Sequence, residues 1–144
     1  MKVLDLNVLL YAVNRDSAHH ARARSYVETL FTGEETIALP WAVILGFIRI
    51  ATNVRLFPNA LSVEQALAVI DSWFAQPPVV AMNAGESHWE LLKDLVTEVG
   101  AAGNLTTDAH LAALAMENGA ELVSTDVDFA RFQHLRYVNL LAVK

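Results

Sequence analysis

Short apolar runs alternate with helix-length segments from one end of the chain to the other, and that alternation leaves few folds open. Residues 2–4, 36–39, 79–82 and 121–124 read as buried strands, with 137–140 as a candidate fifth. Residues 7–13 read as the first helix, opened by Asn7 as a cap. Residues 18–31 bring Ala21, Tyr26, Val27, Leu30 and Phe31 near one face and stop at Gly33. Pro40-Trp41 opens a strongly apolar helix that runs to about residue 52. Ser62 caps a helix over 63–75, supported by Gln65 three residues later. Residues 86–99 are amphipathic through Trp89, Leu92, Leu95, Val96 and Val99, and Gly100 and Gly103 mark a loop. Thr107 caps a helix over 108–117, closed by Asn118-Gly119, and 128–132 form a helical turn. Strands that alternate with helices predict a parallel sheet covered on both faces, joined by right-handed crossovers. The expected architecture is α/β, a three-layer α/β/α domain with four to five parallel strands. At 144 residues, without repeat or linker, residues 1–144 read as one domain.

Composition removes whole classes of function. Hydrophobic residues make up 54% and charged residues 18%, which argues against disorder. No apolar run approaches the roughly 20 residues of a membrane span, and one Lys followed by Asp5 makes no secretory signal. The absence of cysteine excludes disulfides and thiolate metal sites. A soluble cytoplasmic protein, with no membrane association, is the expectation. The formal net charge of -6 means that bulk electrostatics do not draw nucleic acid. A basic groove would have to be local, around Arg15, Arg22 and Arg24 or around Arg49 and Arg55.

The chemistry lies in the acids. Asp5 ends the first strand, Asp126 follows the fourth, and Asp108 opens the helix between them. Open α/β sheets keep their sites at the carboxyl ends of strands, where these groups would meet. Carboxylates gathered without a nearby Lys repel one another, and a hard divalent cation relieves the repulsion. Oxygen-only ligation suits Mg²⁺ or Mn²⁺, expected among Asp5, Asp108 and Asp126, with Asp128 as a fourth acid. Such an ion activates water and stabilises phosphoryl charge, so phosphodiester hydrolysis fits the set. Asn7 and Thr125 are placed to orient a carboxylate or a metal-bound water, or to cap and close turns. Arg49, the single charge in its apolar helix, faces either the acids and a substrate phosphate or solvent. The five His residues make no metal pattern: His19 and His20 are adjacent, and His110 lies two after Asp108, off its face. Trp41, Trp73 and Trp89 sit on apolar helical faces and are expected in core or interface.

Four segments together resemble the PIN domain, and specifically the VapC toxins of bacterial toxin–antitoxin pairs. They are Asp5-Leu6-Asn7-Val8-Leu9-Leu10-Tyr11; Leu39-Pro40-Trp41 with Phe47-Ile48-Arg49-Ile50-Ala51-Thr52-Asn53; Thr107-Asp108-Ala109-His110-Leu111-Ala112-Ala113; and Ser124-Thr125-Asp126-Val127-Asp128-Phe129. The similarity spans nearly the whole chain. It implies a magnesium- or manganese-dependent endoribonuclease acting on RNA, held inactive by a cognate VapB-like antitoxin. It also implies a homodimer, for which the helix after the second strand, apolar on nearly all sides, offers a surface.

One departure stands out. PIN domains usually carry a second acid, a Glu, on that helix, and Gly46 stands here in its place; no acid occurs between Glu35 and Glu64. This keeps a different reading open, a catalytically weakened PIN-like module that acts through protein partners. A haloacid-dehalogenase-like phosphotransferase needs a second Asp two residues after the first, where this chain has Asn7. No P-loop or dinucleotide fingerprint is present.

Overall fold

The computed structural model describes residues 1–100 and 104–142. Along the chain run β1 (Lys2–Leu4), α1 (Leu6–Val13), α2 (His20–Phe31), β2 (Ile37–Pro40), α3 (Trp41–Ala51), α4 (Val63–Phe74), β3 (Val79–Met82), α5 (His88–Val99), α6 (Asn104–Glu117), β4 (Glu121–Ser124), a 3-10 turn (Val127–Arg131) and β5 (Tyr137–Asn139). The five strands form one parallel sheet in the order β3-β2-β1-β4-β5. Lys2 sits between Ile37 and Glu121, and Val3 between Ala38 and Leu122, so β1 is central. Successive strand residues point to opposite faces, and both Val3 and Leu4 are wholly buried, as are Leu122 and Val123. Both faces of the sheet are therefore covered, as the alternating pattern predicts. The candidate fifth strand is real: its Tyr137, Val138 and Asn139 pair with Leu122, Val123 and Ser124.

Some helix starts differ from the expectation and others meet it. Asp5, not Asn7, caps α1: its side chain accepts the Leu6 N–H. Ser62 caps α4 as expected, with the reciprocal Gln65 bond in place. α6 begins at Asn104, ahead of Thr107, so Asp108 lies inside the helix and not at its opening. α5 ends at Gly100, whose φ of +65° is the left-handed conformation that glycine adopts without strain; Gly103 lies outside the described residues. The almost wholly apolar α3 buries Val43, Ile44, Gly46, Phe47 and Ala51 and leaves Trp41 and Leu45 exposed. Of the three Trp residues only Trp73 is core, in edge contact with Phe47.

Candidate active site

The chain leaves β1 for β2 on one side of the sheet and reaches β4 on the other. That reversal opens a crevice beyond the carboxyl ends of β1 and β4, which is where such sheets hold ligands. Asp5 follows β1 directly, and its backbone N–H donates to the Val123 carbonyl at 2.9 Å. Asp126 follows β4 by two residues and starts the 3-10 turn, accepting the Asp128 N–H at 2.9 Å. α6 brings Asp108 to the same place. A cleft of about 180 Å³ results, lined among others by Asp5, Asn7, Gly46, Arg49, Asp108 and Asp126.

The tightest group differs from the expected trio by one member. Carboxylate oxygens of Asp108, Asp126 and Asp128 lie within 4.8 Å of one another. Asp5 shares the cleft but is held differently. It is 8% exposed; one of its oxygens accepts from Leu6 at 2.7 Å and the other from the Ser124 hydroxyl at 2.5 Å. These two donors fix its orientation and leave each oxygen a further lone pair.

Ser124 is the functional residue that the sequence reading misses, since Thr125 is the more conspicuous neighbour of Asp126. It is fully buried at the end of β4. Its hydroxyl donates to Asp5 and accepts the Asp126 N–H at 3.0 Å, so one oxygen ties two acid-bearing segments together. The available signal is a Ser two residues before Asp126, a spacing at which a hydroxyl bonds the backbone and closes a turn. Thr125 is only partly buried. The Tyr137 hydroxyl adds a bond to the Asp126 carbonyl at 2.6 Å.

Electrostatics mark the place as strained in charge. None of the ion pairs among the described residues involves Asp5, Asp108, Asp126 or Asp128. Burial, then the charges of Asp126, Asp5 and Asp128, push Asp108 up to about 6. Burial also raises Asp5, with Asp126 adding to the rise and the bonds from Ser124 and Leu6 opposing it. A site made only of carboxylates, one of them driven toward neutrality by its neighbours, has the donor chemistry of a hard divalent cation.

Three neutral or cationic residues complete the rim. Arg49 lines the cleft, is exposed, and is free of ion pairs among the described residues. Asn7 is exposed on the same wall. Gly46 lies in the cleft as the alignment of motifs implies, and a Cβ there would sit 2.7 Å from Leu6 Cδ2, so the end of the Leu6 side chain would have to shift. Behind the site, His88 Nε2 and His110 Nδ1 meet at 2.8 Å, linking α5 to α6. Burial and His88 together lower the pKa of His110.

The sequence profile described as PIN domain matches residues 2–135. Among characterised relatives, ribonuclease VapC37 of Mycobacterium tuberculosis is 42% identical over 137 residues, covering 95% of each chain. Ribonuclease VapC33 of the same species is 38% identical over 141 residues, covering 98% of this chain and 99% of its own. Two solved structures share the fold. One is VapBC2 from Rickettsia felis bound to a DNA fragment from their promoter, with TM-score 0.72, 21% identity, and coverage of 96% of this chain and 97% of that one. The other is M. tuberculosis VapC20, a sarcin-ricin loop cleaving toxin, with TM-score 0.66, 16% identity, and coverage of 94% and 99%.

Proposed function

The chain belongs to the PIN domain family, and from that premise we propose that it is a divalent-metal-dependent endoribonuclease, the toxin half of a VapBC-like toxin–antitoxin pair. The observation that carries the reading is the gathering of Asp5, Asp108 and Asp126 in one strand-end cleft, with Asp128 beside Asp108 and Asp126 and no ion pair to any of the four among the described residues. Relatives at 37–42% identity that bear the name ribonuclease support RNA as the substrate. Residues 1–144 are read as one PIN domain, acting in the cytoplasm where RNA and antitoxin are at hand. No helix among the described residues is long and apolar enough to cross a membrane.

Asp108, Asp126 and Asp128 would hold Mg²⁺ or Mn²⁺, with Asp5 at the edge of the same site. When bound, such an ion supplies charge to phosphoryl oxygens and lowers the pKa of water. The residues of the chain do the rest. Ser124 fixes the Asp5 carboxylate and the turn bearing Asp126, so the oxygens are preorganised before substrate arrives. Arg49, unpaired at the rim among the described residues, is placed to meet a phosphate of the RNA. Asn7, on the same wall, and Thr125, beside Asp126, are assigned to orienting water or the phosphate.

The partners follow from the same reading. A VapB-like antitoxin covers the toxin, and two copies pair through exposed apolar residues such as Trp41 and Leu45. Gly46 supports a second reading, a PIN-like module weakened in catalysis that acts through its partners. Cleavage of defined RNAs with added Mg²⁺ or Mn²⁺ separates the two. The nuclease reading expects cleavage by wild type, its loss in excess EDTA, and a fall of orders of magnitude in Asp5→Asn and Asp108→Asn. Metal binding without any RNA cleavage, or cleavage that survives EDTA, overturns it.

A further inference from the structure

Trp89 is 63% exposed, more than Trp41 at 45% or Trp73 at 7%. α5 packs on the core through Leu95, with Leu91, Leu92, Val96 and Val99 around it, and Trp89 takes no part in that packing. An indole left open this way adds little to the core of the isolated chain. It lines a groove of about 350 Å³ together with Leu92, Lys93, Val96, Thr97 and Thr106.

The groove and the acid cleft draw on the same turn of α6. Thr106 lines the groove, and the next residue, Thr107, lines the cleft with Asp108. His88, the residue before Trp89, is bonded to His110 two residues beyond Asp108, which pins this turn of α5 against α6. The Lys93 ammonium lies 5.7 Å from the indole centroid and 3.0 Å from the exposed Glu90 carboxylate. An exposed pair of this kind contributes little and exchanges readily for a phosphate.

We propose that this groove is a base-stacking subsite for single-stranded RNA, in which a nucleobase near the scissile phosphodiester stacks on Trp89 and Lys93 meets an adjacent phosphate. The inference rests on the ribonuclease reading above. Net charge of -6 and an all-acid centre deny the protein the long-range attraction that most nucleic-acid binders use. Base–aromatic stacking is the remaining large term, because every base has a π-face and stacking needs no net positive charge.

The test uses fluorescein-labelled single-stranded RNAs of defined sequence, each with a series in which one abasic position is moved along it. Cleavage kinetics and binding by anisotropy in EDTA are measured for wild type, Trp89→Ala, Trp89→Phe and, as a control, Trp41→Ala. Trp89→Ala is expected to raise KM and weaken binding at least about fivefold, as for loss of one stacked base, with kcat changed less than about twofold and Trp89→Phe largely rescued. One abasic position should cost wild type the same factor and cost Trp89→Ala nothing further. Wild-type kinetics in Trp89→Ala, or additive losses at every abasic position, overturn the subsite while leaving the nuclease reading intact. The subsite is overturned in the same way if Trp89→Ala loses only its grip on a co-expressed antitoxin. If wild type binds RNA through Trp89 in EDTA but cleaves none with metal, the subsite stands and the nuclease reading fails. If it neither binds nor cleaves any RNA, both are overturned.

Discussion

Asp108 is the residue at which the site's electrostatics are most exposed to experiment. It carries a pKa pushed from 3.8 to about 6, first by burial and then by Asp126, Asp5 and Asp128. Between about pH 4 and 6 the folded state therefore holds a proton that the unfolded chain has released. Stability contributed through this group falls as pH rises across that window and stays low above it. Metal-free wild type should gain thermal stability between pH 7.5 and pH 5 relative to Asp108→Asn, measured by denaturation in EDTA. Parallel pH profiles for the two proteins would count against the raised pKa. With metal present the proton competes with the ion, so affinity for Mg²⁺ should drop below about pH 6. Ser124 allows a second check at this scale. Ser124→Ala leaves the buried Asp5 oxygen and the Asp126 N–H without their shared partner. A loss of about 1–3 kcal/mol in stability is expected from the unpaired groups, with cleavage reduced at least tenfold. Full activity in Ser124→Ala would mean that the hydroxyl does not position the acids.

The contact between α1 and α3 decides whether the acid missing from α3 could be restored. At Gly46 an added Cβ meets Leu6 Cδ2 at 2.7 Å, so the Leu6 side chain occupies part of the room that a larger residue needs. Gly46→Glu alone is expected to destabilise the fold by about 1–3 kcal/mol through overpacking. Leu6→Ala combined with Gly46→Glu should recover much of that loss and place a further carboxylate on the cleft wall, tightening Mg²⁺ binding by calorimetry. If the double variant folds well and binds metal no better than wild type, the missing acid at Gly46 is not what limits the site. α4 gives a simpler case. Its capping box joins Ser62 and Gln65 reciprocally, so Ser62→Ala should cost about 1 kcal/mol in thermal denaturation without touching cleavage.

For the whole molecule the open question is what covers its outward apolar residues. Trp41, Leu45, Val54, Leu56, Val63 and Leu67 are all exposed on α3, α4 and the segment between them. A second copy of the chain is the expected cover, and light scattering at micromolar concentration should report a dimer that Leu45→Asp shifts toward monomer. A wild-type monomer under those conditions would contradict the pairing. The acidic balance adds a second constraint: with a formal charge of -6, association with RNA is expected from local contacts, as proposed for Arg49 and Trp89, and not from a general field.

Strand-length apolar runs separated by helical spacing are enough to read a parallel sheet covered on both faces, because burial on two sides leaves no polar alternation in Val3-Leu4 or Leu122-Val123. The acids Asp5 and Asp126 are legible for a related reason: charged residues set at the ends of buried runs stand out, while Asp108 is legible as the acid of the helix that precedes β4. Local sequence cannot rank them. That Asp128 joins Asp108 and Asp126 while Asp5 turns to Ser124 depends on β4 lying beside β1, a pairing between residues more than a hundred positions apart. The same long-range pairing hides Ser124, whose hydroxyl looks like turn chemistry until Asp5 is beside it. Trp89 lies outside the core, one of the two places expected for it, because helical spacing defines a helix's faces but not which of them another element covers. Spacing along the chain sets which groups are available; the order of strands and the packing of helices decide which of them meet.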